Sequence, residues 1–357
     1  MSLNKKLFTG GPLPGLTLEN AFSTFLYNGN NSSQSLTGLG FKPDLVWIKQ
    51  RHDTNPHLFM DSTRGAGKML NPSTTDAQSG NSGNFIGSFD NDGFQVNRNY
   101  LSYTAHDTTN YGIGDAAKYV AWCWRANGGS TSTNTDGSIN STVQTNTDAG
   151  FSIIKYTGNG NASTTVGHGL TGIPRLIICK STTWANNWNV YLHDGTNYYN
   201  GYLDGNGSLA KNGSNTQVGL SSGLPTSSTI LTSHIGTNNN NYDFMFWAWE
   251  PIPGYSKFGS YTGNGSTTGP TVTLGFAPGL LIVRKVGGDR WIIADSKRDT
   301  SNPNDKFLDA QDPHAESTLG LTGGIDFLST GFQLKTTDGG GNGNNEEYIY
   351  MAWREAP

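Results

Sequence analysis

The side chains of this sequence that could do chemistry are its carboxylates, one lysine-tipped glycine loop, seven histidines and a set of aromatic rings lying among amides. Glycoside hydrolysis needs two carboxyls of opposed pKa facing one bond. Glu19, Glu250, Glu316, Glu346, Glu347 and Glu355 share no recurring position and nominate no such pair. Asp61, Asp194 and Asp295 do recur, each ending an apolar stretch, and one carboxylate at a strand end reads as a turn cap. Gly65-Ala66-Gly67-Lys68 fails as a Walker loop because Ser62 stands where a glycine must lead and Met69 where a hydroxyl must reach magnesium. Asp90-Asn91-Asp92-Gly93 lacks the spacing and closing glutamate of a calcium loop and reads as a turn before Phe94. Gly158-Asn159-Gly160 lacks the third glycine and following helix of a dinucleotide loop, which leaves a hairpin turn with Asn-Gly supplying positive φ. No nucleophile elbow or HExxH is present, so the expectation is a protein that is not an enzyme, with no catalytic residue, metal or cofactor.

The aromatic rings carry the remaining signal. Trp184, Trp188, Tyr198, Tyr199 and Tyr202 stand among Asn186, Asn187, Asn197 and Asn200, and Tyr100, Tyr103 and Tyr111 form a second group. A sugar ring needs an apolar platform with hydrogen-bonding groups at its rim, which these residue types supply. A wet protein interface uses the same types, and so does ordinary loop packing. The first five residues are the candidate binding surface, for a saccharide or for a partner.

An internal repeat dictates the elements that must position them. Tyr27-Asn28-Gly29-Asn30, Tyr156-Thr157-Gly158-Asn159 and Tyr261-Thr262-Gly263-Asn264 open three units, with Phe22-Ser23, Phe151-Ser152 and Tyr255-Ser256 just before them. Apolar runs ending at Lys49, Lys180 and Lys285 follow, then stretches ending at the three aspartates, then Trp-rich runs closing at Trp124, Trp249 and Trp353. Runs of four to eight β-branched and aromatic residues between Gly, Pro, Asn and Asp are strands, and no capped helical period is visible. The expectation is an all-β chain of three tandem antiparallel β-sandwich modules of jelly-roll or lectin-like type, at residues 21–127, 150–250 and 251–357. Residues 1–20 form an N-terminal attachment segment. Residues 128–149 form a polar linker or edge strand, and Pro251-Ile252-Pro253-Gly254 a stiff joint, so units 2 and 3 are expected to be held more rigidly to each other than to unit 1. The Trp residues of the closing runs should occupy equivalent buried positions.

Composition narrows the function classes. The 357 residues suffice for two or three domains at about 150 residues each. Charged residues are only 14% and the formal charge is -4, which leaves no electrostatic footprint for nucleic acid or an anionic membrane. No apolar stretch is long enough for a membrane span, and the start shows no signal core. Cys123 and Cys179 each sit in an apolar run and read as buried free thiols, ahead of a disulfide or a metal site.

These motifs together resemble the repeat modules of bacteriophage virion proteins, especially tail fibres and related appendages of marine phages with lectin-like, concanavalin-type sandwiches. The residues that carry the resemblance are Asn4 to Gly11, unit 1 from Tyr27 through Phe41-Lys42-Pro43-Asp44-Leu45-Val46-Trp47-Ile48-Lys49 to Trp124, and Asn134 to Ile153. Unit 2 departs from it later, with Thr229-Ile230-Leu231 where Gly-Phe would stand. The resemblance implies a virion location, attachment to other virion proteins through the N-terminal segment, a homo-oligomer (a trimer in fibres), and a host cell-surface glycan or receptor as partner. Head decoration or a neck connector is the alternative within that class, and a polysaccharide depolymerase the enzymatic one.

Overall fold

A computed structural model describes residues 21–79, 85–97, 118–213, 224–232, 236–318 and 323–356. They fold as an all-β protein of antiparallel sheets with a single one-turn helix, Gly339–Asn342, among them. Each unit has the same inner sheet. In unit 1 its order is opening strand Phe22–Asn28, closing strand Lys118–Trp124, lysine strand Leu45–Gln50 and aspartate strand Leu58–Asp61. Unit 2 repeats this with Phe151–Thr157, Asp243–Trp249, Leu176–Ser181 and Asn189–His193, and unit 3 with Ser256–Thr262, Glu347–Arg354, Pro278–Lys285 and Trp291–Asp295. A small outer sheet completes each sandwich: Gln34–Thr37, Gly93–Val96 and Ile86–Asp90 in unit 1, Thr165–Gly167 with Thr229–Leu231 in unit 2, and Thr271–Thr273, Gly331–Leu334 and Ile325–Leu328 in unit 3. The outer strands pack closely. A Cβ on Gly93 would lie 1.9 Å from the Leu36 carbonyl oxygen, and one on Gly331 would lie 2.0 Å from that of Val272.

Along the lysine and closing strands both faces of the inner sheets are buried, which is why those strands read as nearly unbroken apolar runs. On one face Val46, Ile48, Ala121 and Cys123 join the private core of unit 1, and corresponding residues fill private cores in units 2 and 3. On the other face Leu45, Trp47, Val120, Trp122 and Trp124 join a fourth core built from all three units. The three closing tryptophans meet there edge to face, with ring centroids 6.0 Å apart for Trp124 and Trp249, 5.5 Å for Trp124 and Trp353, and 5.7 Å for Trp249 and Trp353. The units therefore close into a ring about a pseudo-threefold axis, inner sheets inward.

Of the two forms expected for residues 128–149, the structure has the edge strand. Residues 128–149 supply two strands, Ser132–Asn134 and Ser141–Asn146, that extend the inner sheet of unit 2 beyond its opening strand. Gln144 of this hairpin donates to Ser62 Oγ at 3.0 Å and Thr63 Oγ1 at 2.8 Å, fastening it to unit 1. Unit 1 is thus in direct contact with both other units, whatever the composition of its joint. The Tyr-Thr-Gly-Asn turns are not hairpins either, because each carries the chain from an inner-sheet strand to an outer-sheet strand. Gly160 and Gly265 supply the positive φ there, +73° and +65°.

Register also corrects the repeat alignment by one residue in unit 3. Trp124 and Trp249 pair with Phe22 and Phe151, but Trp353 pairs with Ser256, so Tyr255 lies one place earlier. Counting from Leu45, Leu176 and Leu280, which all pair with the closing Trp, the equivalents of Lys49 and Lys180 fall on Arg284 rather than Lys285. A bulge between Pro278 and Leu280 accompanies the shift.

Candidate binding surface and the seams between units

The five candidate aromatic residues do not form one surface. Trp188 is 0% exposed in the shared core, stacks on Trp247 with centroids 5.7 Å apart, and donates Nε1–H to the carbonyls of Asn71 (2.9 Å) and Thr74 (3.1 Å) in unit 1. Tyr199, also buried there, donates its hydroxyl toward Asp194 (3.0 Å) and toward Glu347 of unit 3 (2.8 Å). Trp184 is half-buried beside Tyr242, Tyr198 is half-buried against the private core of unit 2, and Tyr202 is half-buried and gives its carbonyl to Trp291 of unit 3. Three of the five therefore serve contacts between units. Tyr100, Tyr103 and Tyr111, like the N-terminal segment 1–20, lie outside the described residues.

The seams repeat one another with pseudo-threefold logic. The equivalent position at or just before the start of the aspartate strand holds His57, Trp188 and Trp291, each of which gives a ring nitrogen to a carbonyl of the neighbouring unit: Asp309 at 2.9 Å, Asn71 and Thr74, and Tyr202 at 2.9 Å. Beside them, the carbonyls of Arg51, Thr182 and Val286 accept backbone N–H groups from Glu316 (2.7 Å), Gln78 (2.9 Å) and Leu209 (2.8 Å). Each aromatic nitrogen donates backwards round the ring, and each loop reaches forwards. His57 is fixed in one tautomer, because its Nδ1 accepts from Trp47 Nε1 at 2.9 Å and Nε2 is then the donor. Burial pushes its pKa well down.

Cations occupy the same seams. Lys49, Lys180 and Arg284 are buried at equivalent positions. Lys180 Nζ reaches the Thr75 carbonyl of unit 1 at 3.2 Å and Asn186 Oδ1 at 3.0 Å, while Arg284 Nη2 donates to the Gly207 carbonyl of unit 2 at 2.5 Å. Burial lowers Lys49 to about 7, Lys180 to about 8 and Arg284 to about 10. None of these side chains could be assigned from sequence alone, because a lysine ending an apolar run ordinarily faces water.

The recurring aspartates cap turns. Asp61 accepts from Arg64 N at 2.9 Å and pairs with its Nε at 2.6 Å, and Arg64 lies over the Trp247 ring of unit 2. Asp295 accepts from Arg298 N at 2.8 Å, pairs with its side chain, and takes Trp122 Nε1–H of unit 1 at 3.1 Å. Asp194 sits two residues beyond the equivalent place, which Leu192 occupies. Burial alone would raise its carboxyl, but donation from Asn197, Ser260, Thr196 and Tyr199 outweighs that and brings it to about 2. Asp92 likewise caps Gly38 and Gly40, at 3.0 and 2.7 Å. Cys123 and Cys179 are buried and free.

Two clefts of about 470 and 350 Å³ flank Leu26, an apolar side chain 38% exposed near the seam of units 1 and 3. Ser23, Thr24, Gly38, Gly40 and Lys297 line the first, and Asn28, Arg51 and Lys118 the second. Glu355 of unit 3 accepts from Ser23 Oγ at 2.9 Å and Thr24 N–H at 3.0 Å, occupying part of the outward edge of the opening strand. Among the described residues Asp309, Asp312 and His314 could offer three ligand atoms to a metal ion within 4.8 Å of one another. Arg290 faces Asp309 at 3.9 Å and Gln311 donates to Asp312 at 2.8 Å, so both carboxylates have partners of their own.

Fold and seams define an all-β protein whose three sandwiches share one core. Residues 19–357 match the family described as Domain of unknown function (DUF7483), and the chain belongs to that family. No curated protein and no solved structure matches the chain.

Proposed function

We propose that this is a structural and binding protein of a phage virion, an appendage component that contributes to host attachment. The observation that carries the non-catalytic part is the use of its chemistry: the recurring aspartates, buried cations and most candidate aromatics hold turns and seams together. The virion part rests on the sequence resemblance. Topology supports a polarity for such a role. Ala21, Arg354 and both joints lie at the end of the inner sheets where the closing tryptophans meet. The three Gly- and Asn-rich turns, exposed at Asn30, Asn159 and Asn264, lie at the opposite end. In this reading the N-terminal segment joins other virion proteins and the far end faces the host.

A head-decorating or neck protein is the second reading. Closure favours it, because the units make one compact knob within a single copy instead of a row of projecting modules. Locating the protein by electron microscopy of purified, then dissociated, virions separates the two: a tail or fibre position supports the appendage, a head or neck position the alternative, and absence from particles defeats both. Adsorption assays with excess isolated protein add the functional arm. Competition without released oligosaccharide supports an adhesin, and sugar release would restore the depolymerase.

A further inference from the structure

The opening strands of units 1 and 2 correspond residue for residue, since Phe22 and Phe151 both pair with the closing Trp. On the edge facing away from the closing strand, unit 2 carries the strand Ser141–Asn146, with Gln144 opposite Ile153 and Val143 opposite Ile154. At that place unit 1 has the cleft of about 470 Å³ lined by Thr24, Leu26, Gly38, Gly40 and Lys297. Counted back from Leu45 and Leu176, Gly38 is the equivalent of Gly169, and both have positive φ, +97° and +72°. A Cβ on Gly169 would lie 2.8 Å from Thr145 Oγ1 and 3.4 Å from Val143 Cγ2, both in the covering strand, whereas one on Gly38 would meet nothing within 4 Å. Thr24, the equivalent of Ile153, is buried, and its hydroxyl has no partner among the described residues. Its N–H points away from the closing strand, toward Glu355, and by the alternation of an antiparallel edge so does that of Leu26.

We propose that this cleft is a docking groove for an extended, acidic segment of another protein chain, which pairs with Phe22–Leu26 as residues 141–146 pair with the opening strand of unit 2. The acidic preference comes from the seam. Gln144 reaches Ser62 and Thr63 of unit 1, and counting from Asp61 and Asp295 the equivalents in unit 3 are Ser296 and Lys297. A carboxylate in place of the Gln144 amide would face the exposed Lys297. Glu355 shows that the edge accepts a carboxylate, since it already takes Ser23 Oγ–H and Thr24 N–H, and the incoming strand displaces it. The groove follows from the fold alone and does not depend on a virion location.

The probe is the hexapeptide of residues 141–146 with Gln144→Glu, added to the full chain at up to about millimolar concentration. The backbone amide resonances of Thr24, Leu26, Gly38 and Gly40 should shift together and saturably. Methylating the peptide nitrogen opposite Thr24, which removes a ladder hydrogen bond, should weaken binding by about tenfold. The unchanged Gln144 peptide should bind about threefold more weakly than the Glu form, because Lys297 then gains no carboxylate. Glu355→Ala should tighten binding of either. Resonances that do not move, or equal binding by the methylated peptide or by the Gln144 peptide, would each overturn the proposal. So would nuclear Overhauser contacts to Leu26 from residues 1–20 of the same chain or from a second copy.

Discussion

Trp249 sits where all three units touch, stacked on Phe151 and edge-on to both other closing tryptophans. Truncation to Ala should therefore cost about 3–5 kcal/mol, as for other large buried rings, and lower the urea midpoint of the whole chain. An unchanged midpoint would mean that the axis carries little of the stability. His57 supplies a pH prediction. Its ring is held neutral when folded, whereas the unfolded chain takes up a proton below the ordinary value of 6.5, so stability present above that value is lost as pH falls through it. Urea midpoints measured from pH 8 to 5 should fall more steeply for the wild type than for His57→Gln, and parallel curves would contradict the assignment. At this scale the sequence was only half legible. The closing tryptophans and the capping aspartates were visible as repeated types at repeated spacings. Their meeting was not, because contacts between units join residues more than a hundred positions apart and leave no local period. Trp188 and Tyr199 carried the right chemistry for an interface, but nothing local shows that the interface lies inside the chain.

At the scale of elements, the strands were legible because apolar runs bounded by Gly, Pro, Asn and Asp have few other ways to fold. The lysine and closing strands are also apolar on both faces, a feature that fits the fourth core although the repeat reads only as tandem sandwiches. A two-sheet sandwich standing alone leaves the outer face of each sheet to solvent, so a run such as Leu45-Val46-Trp47-Ile48, buried throughout, demands a second partner. The hairpin 128–149 was harder to read. Ile139 and Val143 are its few apolar residues, and its strands are held by backbone pairing and polar contacts such as Gln144 to Ser62 and Thr63. Deleting residues 130–147 should expose the opening strand of unit 2 as an unprotected edge and produce concentration-dependent association, seen by light scattering. A monomer at all concentrations would show that the hairpin does not guard that edge. The Asp295–Arg298 pair is the second test at this scale. Both side chains are fully buried at the seam with Trp122, and Arg298 keeps Glu316 at 3.0 Å as a second carboxylate, so Asp295→Asn, which removes one of its two counter-charges, should lower the urea midpoint by the equivalent of about 1–3 kcal/mol, and an unchanged midpoint would show that the pair adds nothing.

For the whole molecule, three repeats in one chain have become three sides of one body. Shared burial makes the units interdependent: separated, each would expose its closing Trp and most of its inner face. The length allows two or three domains and the repeat divides the chain into three units; each has a private core, and the shared core joins all three. The central claim is that the three sandwiches stand or fall together about the Trp124–Trp249–Trp353 axis. Differential scanning calorimetry of the full chain tests it most directly, read alongside residues 150–250 expressed alone. A single transition with equal calorimetric and van't Hoff enthalpies, and an isolated unit that does not fold as a stable monomer, is the result predicted. Three separable transitions, or an isolated unit 2 that melts where the intact protein does, would contradict it.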